Sequence, residues 1–318
     1  MPSNQNPLGA LPARFRRQRL LIVGCGDVGL RVAHALHTLH GARGPRLLAL
    51  TSSPARAGQL RAQGIVPLAG NLDQAATLRR LAGLATRVLH LAPPPAEGRE
   101  PWWRDPRTQT LLRALRLRAP PQALVYGSTS GVYGDCQGAL VAETRAIAPA
   151  TPRAQRRADA EAAVRFAGRG AVRASILRIP GIYADDRAGG ARARLQKGTP
   201  VLAAADDVYT SHIHADDLAR ACIAALWRAQ PQRVYNVCDD TRLKMGDYFD
   251  LAADLYGLPR PPRIARADAR EHLPLGLLSF LGESRRLDNM RMKRELRLAL
   301  RYPDVAAGLR VPGSVSAS

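Results

Sequence analysis

Lysine is nearly absent from this 318-residue chain. Lys197, Lys244 and Lys293 are its three lysines, which leaves 44 of the 47 cationic residues as arginine. Acidic residues are also scarce, 26 against 47, and the net charge is +21. A surplus of that size invites nucleic-acid binding, because neutralised phosphates release counterions. Here, however, the arginines are spread along the whole chain beside abundant alanine, the bias that a GC-rich genome produces, and aromatics make up only 5%. With no basic stripe interleaved with stacking rings, specific nucleic-acid recognition is not expected, and weak adhesion to polyanions is. Cysteine is sparse too. Cys25, Cys136, Cys222 and Cys238 lie far apart with no C-x-x-C spacing, which argues against a disulfide framework and a zinc site. Long apolar runs are missing. The stretch Leu273–Leu281 is interrupted by Pro274 and Gly276 and is far too short to span a bilayer. Met1–Arg19 lacks the apolar region of a signal peptide. A cytoplasmic protein without membrane contact is the expectation.

What the chain does have is 46% apolar residues, enough for a large core, and a length that suits one doubly wound domain with a smaller lobe. Its organising stretch is Leu20–Gly29, Leu-Leu-Ile-Val-Gly-Cys-Gly-Asp-Val-Gly. An apolar strand runs into G-x-G-x-x-G, and Leu30–Leu36 continues with helical spacing. Strand, glycine turn and helix in that order are the context of a dinucleotide site. Gly24 permits the tight turn, Gly26 leaves room for a pyrophosphate, and Gly29 allows helix and strand to pack closely. The N–H groups from Cys25, Asp27 and Val28 onward then face the phosphates at a positive dipole end. His34, His37 and His40 recur on this helix and read as a helix face, since no carboxylate or cysteine completes a metal site.

The second strand, Arg46–Thr51, ends in Thr51-Ser52-Ser53 with Arg56 one turn further on. An acidic residue at this place would bind both ribose hydroxyls and favour NAD. Hydroxyls with a guanidinium suit a 2′-phosphate, so Ser52 and Arg56 point to NADP, with NAD as the other possibility. A helix is predicted over Pro54–Gln63, and a third strand together with its exit over Ile65–Leu72. Asn71 and Leu72 then stand at the adenine edge. A helix is predicted over Leu72–Leu84, and a fourth strand over Arg87–Ala92 ends at Pro93-Pro94-Pro95, which places Ala92 and Pro93 near the nicotinamide. Glu97–Arg107 reads as a loop, a candidate flap over the cofactor, and Thr108–Arg118 as a helix. The fifth strand, Ala123–Tyr126, opens into Gly127-Ser128-Thr129-Ser130-Gly131-Val132-Tyr133-Gly134. Hydroxyls at the carboxyl end of a central parallel strand face the ligand crevice and can bond a substrate carbonyl or alcohol. Ser128 and Thr129 are therefore candidate catalytic residues.

These segments, together with Leu177–Tyr183, His212–Ala219, Val234–Asp240 and Asn289–Leu296 followed by Arg301-Tyr302-Pro303, occur in the order seen in extended short-chain dehydrogenases/reductases. The chain resembles that group, the NAD-dependent epimerase/dehydratase family, over about residues 19–310. The resemblance implies a Rossmann-type doubly wound parallel sheet of about seven strands with a small α-rich C-terminal lobe. It also implies that Pro180 lies at the nicotinamide, and that Tyr133 and Tyr183 are packing residues beside the crevice. His214 is expected to play a structural part beside Asp216 and Asp217 at a helix start.

The pattern breaks at the catalytic pair. In the family a tyrosine and, four residues on, a lysine carry the proton transfer. Counting back from Glu161, and forward from Thr129, puts Arg153 at the tyrosine position and Arg157 at the lysine position. An arginine stays protonated at neutral pH and cannot donate as the tyrosine does. Arg157 remains a candidate contact for the nicotinamide ribose or a substrate anion. The tighter G-x-G-x-x-G turn also departs from the usual G-x-x-G-x-x-G of extended members. Both departures resemble atypical short-chain dehydrogenases, in particular the YeeZ-like proteins.

The expected organisation is a basic leader over 1–18, a Rossmann domain over 19–239, and a lobe over 240–318 interleaved with 181–214. Leu273–Leu281, Arg285 and Arg286 are candidates for shaping the pocket. The function expected is that of an NAD(P)-binding oxidoreductase or epimerase acting on a small carbonyl or sugar-nucleotide substrate as a monomer or homodimer, with no metal. A non-catalytic redox-sensing or regulatory module is the alternative.

Overall fold

A computed structural model of the protein describes residues 18–96, 101–273, 278 and 281–310. Seven strands form the main sheet: β1 (Arg19–Val23), β2 (Arg46–Thr51), β3 (Val66–Ala69), β4 (Arg87–His90), β5 (Ala123–Thr129), β6 (Arg173–Ile179) and β7 (Arg233–Asn236). Their spatial order is β7-β6-β5-β4-β1-β2-β3, and every neighbouring pair is parallel. The order reverses at β1, which pairs with β2 on one side and β4 on the other. That reversal is the switch point outside which doubly wound sheets bind ligands.

The alternation of side chains along a strand explains why β1 is apolar from Leu20 to Val23. Leu20 and Ile22 join one core with Val32 and Leu36 of helix α1 (Asp27–His40). Leu21 and Val23 join the opposite core. That second core also contains Leu111 and Leu115 of a helix over Pro106–Leu115, and Ala160 and Val164 of a helix over Pro152–Ala167. All four β1 residues are fully buried, and each contributes about 2 kcal/mol of apolar burial. A helix over Ala215–Arg228 supplies Leu218, Cys222 and Leu226 to the α1 face.

We name the helices Arg56–Ala62, Pro106–Leu115, Pro152–Ala167, Ala215–Arg228 and Met245–Tyr256 as α2 to α6, in chain order. A separate apolar cluster unites Tyr183, Leu195, Leu202, Tyr248, Phe249, Val305 and Leu309. Short parallel pairs run through this part of the fold, 181–183 with 212–214 and 201–202 with 263–264, and a third, 140–141 with 286–287, lies in a smaller cluster of Tyr133, Cys136, Val141, Cys238 and Leu287.

Several boundaries differ from the sequence expectation. The helix expected over Leu72–Leu84 is a 3-10 stretch, Ala75–Leu81. The Thr77 hydroxyl donates to the Asn71 and Gln74 carbonyls at 3.1 and 2.7 Å and accepts from the Asn71 N–H at 2.9 Å. Such local bonds compete with the helical ladder. Helix α3 starts at Pro106 because the Asp105 side chain caps it, accepting from the Thr108 N–H at 3.2 Å. It ends at Leu115, short of Arg118. β5 runs three residues past Tyr126, since Gly127, Ser128 and Thr129 pair with Leu177, Arg178 and Ile179 of β6.

Residues 1–17 of the expected leader lie outside the described residues, as do 97–100 of the expected flap, 274–277 and 279–280 of the Leu273–Leu281 stretch, and 311–318. Among the described residues no helix is long and apolar enough to cross a membrane.

Candidate functional site

The glycine turn between β1 and α1 has three distinct geometries. Gly24 sits at φ +85°, and a Cβ there would come within 2.3 Å of the Ala92 main-chain nitrogen. Only glycine fits. A Cβ on Gly26 would meet nothing within 4 Å, so it would project into open space over the turn. At Gly29 a Cβ would press on Ile22 and the Cys25 sulfur at 3.2 and 3.3 Å, which shows how closely α1 lies on β1. No side chain caps α1. Its first N–H groups are thus left for a ligand, and the dipole there favours an anion. The turn and the space over Gly26 fit the pyrophosphate of a dinucleotide.

Asp27, at the mouth of this turn, is held by Arg31 at 2.9 Å and by Arg187 at 2.9 Å. Arg31 also pairs with Asp186 and Asp216, each at 2.5 Å. Burial opposes the Arg31 charge, yet the three carboxylates raise its proton affinity overall. The guanidinium of Arg56 donates to the Cys25 carbonyl at 2.7 Å and so braces the turn from the β2 side. Cys25 itself is buried, and that burial pushes its thiol up to about 11.

A cavity of about 460 Å³ opens from this turn toward the second cluster. It is lined by Gly24, Gly26, Asp27 and Val28, by Ser128, Thr129 and Ser130 at the end of β5, by Arg153 and Arg157 of α4, and by Pro180. From the far side come Tyr209, Thr210, Ser211, His212, Met245, Glu283 and Arg285. Cys25, Gly29, Ser52, Arg56, Asn71, Leu72, Ala92 and Pro93 do not line it. Of these, Ala92 backs the Gly24 turn. The Asn71 side chain accepts from the Asp73 N–H at 3.0 Å, so it closes a local turn.

The three candidate catalytic residues are tied down in different ways. Ser128 is buried and donates to Glu161 Oε1 at 2.6 Å. Thr129 accepts from the Gly131 N–H at 3.2 Å and caps the Ser130–Tyr133 turn. Arg157 donates from Nη1 to the Gly127 carbonyl at 2.6 Å and the Tyr126 hydroxyl at 3.1 Å. Arg153 lies one turn earlier on α4, whose start is set by Pro152 and by the Thr151 cap, which accepts from the Ala154 N–H at 3.2 Å. Burial, and then the Arg157 charge, hold the Arg153 guanidinium below its ordinary range.

Tyr133 is buried and donates to Asn236 Oδ1 at 2.8 Å, and Tyr183 donates to the Asp304 carbonyl at 3.1 Å. Both tyrosines are thus bonded within the fold. His214 caps α5, accepting from the Asp216 N–H at 3.2 Å through Nδ1. His212 lies on the cavity wall stacked on Tyr248 at 4.1 Å, and burial lowers its pKa to about 4. The wall residues that sequence reasoning did not place at the site, among them Tyr209 and Glu283, come from segments without a motif, whereas His212 opens the His212–Ala219 motif. Their one signal is that 181–214 and the C-terminal lobe were expected to meet. No group of three or more potential metal ligands occurs among the described residues.

A parallel doubly wound sheet with a glycine turn at its switch point defines a dinucleotide-binding class. The family model described as NAD dependent epimerase/dehydratase family matches residues 21–238, and the protein belongs to that family. A functionally unknown conserved protein from Silicibacter pomeroyi DSS is 29% identical over 92% of this chain and 96% of its own, with a TM-score of 0.75. A UDP-glucose 4-epimerase from Thermotoga maritima, solved with UDP-glucose, is 18% identical over 92% and 96%, with a TM-score of 0.74. A UDP-glucuronic acid 4-epimerase from Bacillus cereus, solved in complex with NAD, is 17% identical over 92% and 96%, with a TM-score of 0.71. These two epimerases share the fold. No curated protein matches the chain significantly.

Proposed function

We propose that the protein binds a nicotinamide dinucleotide, NADP in preference to NAD, and acts as an oxidoreductase or epimerase on a small carbonyl or sugar-nucleotide substrate. One observation carries this reading. A single cavity joins the glycine turn, the hydroxyls at the end of β5 and the walls of the second cluster. Gly24 to Val28 would hold the pyrophosphate on main-chain N–H groups. Ser52 and Arg56 would take the 2′-phosphate, since no acidic residue ends β2 and the Arg56 guanidinium is already at the turn. Ala92, Pro93 and Pro180 would border the nicotinamide, which supplies hydride transfer when bound. Thr129 would orient the substrate oxygen, and Arg157 would face the ribose or a substrate anion. Asn71 and Leu72 would border the adenine. Within the family we read the chain as an atypical, YeeZ-like member.

The second reading, a regulatory dinucleotide-binding module, is favoured by one specific feature. Arg153 and Arg157 occupy the α4 positions where the family's tyrosine and lysine would transfer a proton, and neither arginine releases one near neutral pH.

Titration with NADP and NAD, followed by cofactor fluorescence, tests the binding step. Saturation by NADP below the NAD concentration needed is expected, and no saturation by either overturns the proposal. Screening carbonyls and sugar nucleotides for changes in nicotinamide absorbance, with epimers detected by NMR, separates the two readings. Turnover that falls in Thr129→Val supports the enzyme, and binding without turnover of any substrate supports the regulatory module.

A further inference from the structure

His212 lines the cavity and is 7% exposed. Strand pairing places it beside the end of β5. Thr129 pairs with Ile179 of β6, the chain continues through Pro180, and Gly181 pairs with His212. Gly181 is exposed on the cavity wall, and a Cβ there would stand 3.2 Å from His212 Cδ2 and 3.7 Å from Nε2. The Nε2 edge of the imidazole therefore borders the cavity. Tyr248 of α6 fixes the ring by stacking, with centroids 4.1 Å apart and planes 11° from parallel. Among the described residues neither ring nitrogen is hydrogen-bonded, and Nδ1 is buried. Burial lowers the pKa to about 4, which keeps the imidazole neutral.

The same wall repeats this feature two residues earlier. Thr210 lines the cavity, and its Oγ1 is buried with no hydrogen-bond partner. Side chains two residues apart on an extended segment share a face. Between them, the Ser211 hydroxyl is engaged, accepting from the Leu287 N–H at 3.0 Å. The charges fastened to this segment are paired with each other. The Tyr209 N–H donates to Ser284 Oγ at 3.0 Å and the Arg285 N–H to the Tyr209 carbonyl at 3.1 Å, while Arg285 Nη1 donates to Glu283 Oε2 at 2.6 Å. Buried hydroxyls and imidazoles are ordinarily hydrogen-bonded, because an unpaired one forfeits its hydration. A neutral imidazole offers one donor and one acceptor, and a threonine hydroxyl offers both. Together they match a hydroxyl or a carbonyl and present no charge to an anion.

We propose that Thr210 and His212 are specificity-determining residues that hold an uncharged hydroxyl or carbonyl group of the substrate. The folded chain already bears the cost of burying both polar groups, so a ligand that pairs them gains the bonds and one that lacks the matching group does not. The inference rests on reading this cavity as the substrate site, and it names the residues that recognise the substrate there.

Calorimetric titration of the full chain, with and without NADP, tests it using dihydroxyacetone, D-glucose, UDP-glucose and UDP. Saturation by dihydroxyacetone identifies a small hydroxy carbonyl, saturation by glucose a free sugar, and tighter binding of UDP-glucose than of UDP a nucleotide-linked sugar. Any of these supports the proposal when it is lost in His212→Phe, which keeps the stacked ring and removes both nitrogens. The affinity is expected to fall about tenfold or more in that variant, with UDP binding unchanged. Thr210→Val is expected to lose affinity in the same direction. Each variant exchanges an unpaired buried polar group for an apolar one of similar shape, so melting temperatures are expected to stay within a few degrees or to rise. Lower melting temperatures in both variants with unchanged ligand affinity would make the two groups structural and overturn the proposal. So would no saturation by dihydroxyacetone or glucose up to about 50 mM, together with no advantage of UDP-glucose over UDP. NADP binding with no ligand affinity that depends on His212 overturns this inference alone. His212-dependent ligand binding in a chain that takes up no dinucleotide overturns the dinucleotide reading alone.

Discussion

Glu161 on α4 grips Arg178 on β6 with both carboxylate oxygens, Oε1 at 3.1 Å from Nε and Oε2 at 2.7 Å from Nη2. Neither side chain is more than 3% exposed. The same Oε1 accepts from Ser128 at 2.6 Å, and the Arg178 guanidinium lies over the Tyr133 ring. The helix bearing Arg153 and Arg157 is thereby locked to the strand end that forms the cavity floor. Glu161→Ala leaves a buried cation uncompensated and should cost about 3–5 kcal/mol in urea unfolding. Glu161→Leu combined with Arg178→Met should recover most of that loss. Equal instability of the double variant would show that packing, and not charge, holds the interface.

The glycines of the turn separate folding from binding. Gly24→Ala forces a left-handed backbone and a clash with Ala92, so it should cost about 3 kcal/mol or more. At Gly26 the space is open, so Gly26→Val should leave the melting temperature within a few degrees while weakening dinucleotide binding at least about tenfold. Undiminished binding in Gly26→Val would remove the turn from the site.

Arg56 has one task in the fold and a second under the proposed function, and a ratio distinguishes them. Its bond to the Cys25 carbonyl supports the turn for either cofactor. A 2′-phosphate contact concerns NADP alone. Arg56→Ala should lower NADP affinity about tenfold more than NAD affinity, as expected for one charge-assisted bond. Equal losses would confine Arg56 to bracing the turn.

Asp239 governs part of the pH dependence. Burial raises its carboxyl to about 7, against an ordinary value of 3.8. The folded state thus binds a proton that the unfolded chain releases, and this contribution to stability is lost as pH rises from about 4 to 7. Burial lowers His90 to about 3 and His212 to about 4, so the folded state keeps them neutral. Their contribution is present above the unfolded value near 6.5 and is lost as pH falls through those folded values. The two trends oppose each other in the same window. Asp239→Asn should raise stability at pH 8 by about 1–3 kcal/mol and make the acid-side loss steeper. Melting curves between pH 4.5 and 8, a range chosen to span about these pKa values, that coincide for the two proteins would exclude Asp239 as the titrating group.

Much of the fold was legible because its determinants are local. Four apolar residues ahead of Gly24 read as a doubly buried strand, and the β1 alternation between two cores bears this out. The Leu72–Leu84 stretch failed for an equally local reason, since Thr77 diverts its hydroxyl to main-chain carbonyls and tightens the turn to 3-10. The far cavity wall was barely legible. Tyr209 and Glu283 sit in segments that are distant in sequence and carry no periodic signal, and the docking of Ser284 and Arg285 onto Tyr209 and Gly134–Cys136 brings them to the site, while His212 arrives by the pairing of 212–214 with 181–183.

By itself the amino-acid order of Leu20–Gly29 determined a strand, a glycine turn and an uncapped helix start, because glycine's missing Cβ and β-branched stiffness act within a few residues. The spacing from Thr129 and Glu161 set only an expectation, that Arg153 and Arg157 stand where the family carries its proton-transfer pair. Tertiary structure decided what surrounds them. Whether a guanidinium is buried, which carbonyl it bonds and which carboxylate oxygen is left open depend on chain segments that are not neighbours in sequence. Desolvation and charge act through space, and sequence spacing carries no measure of that distance.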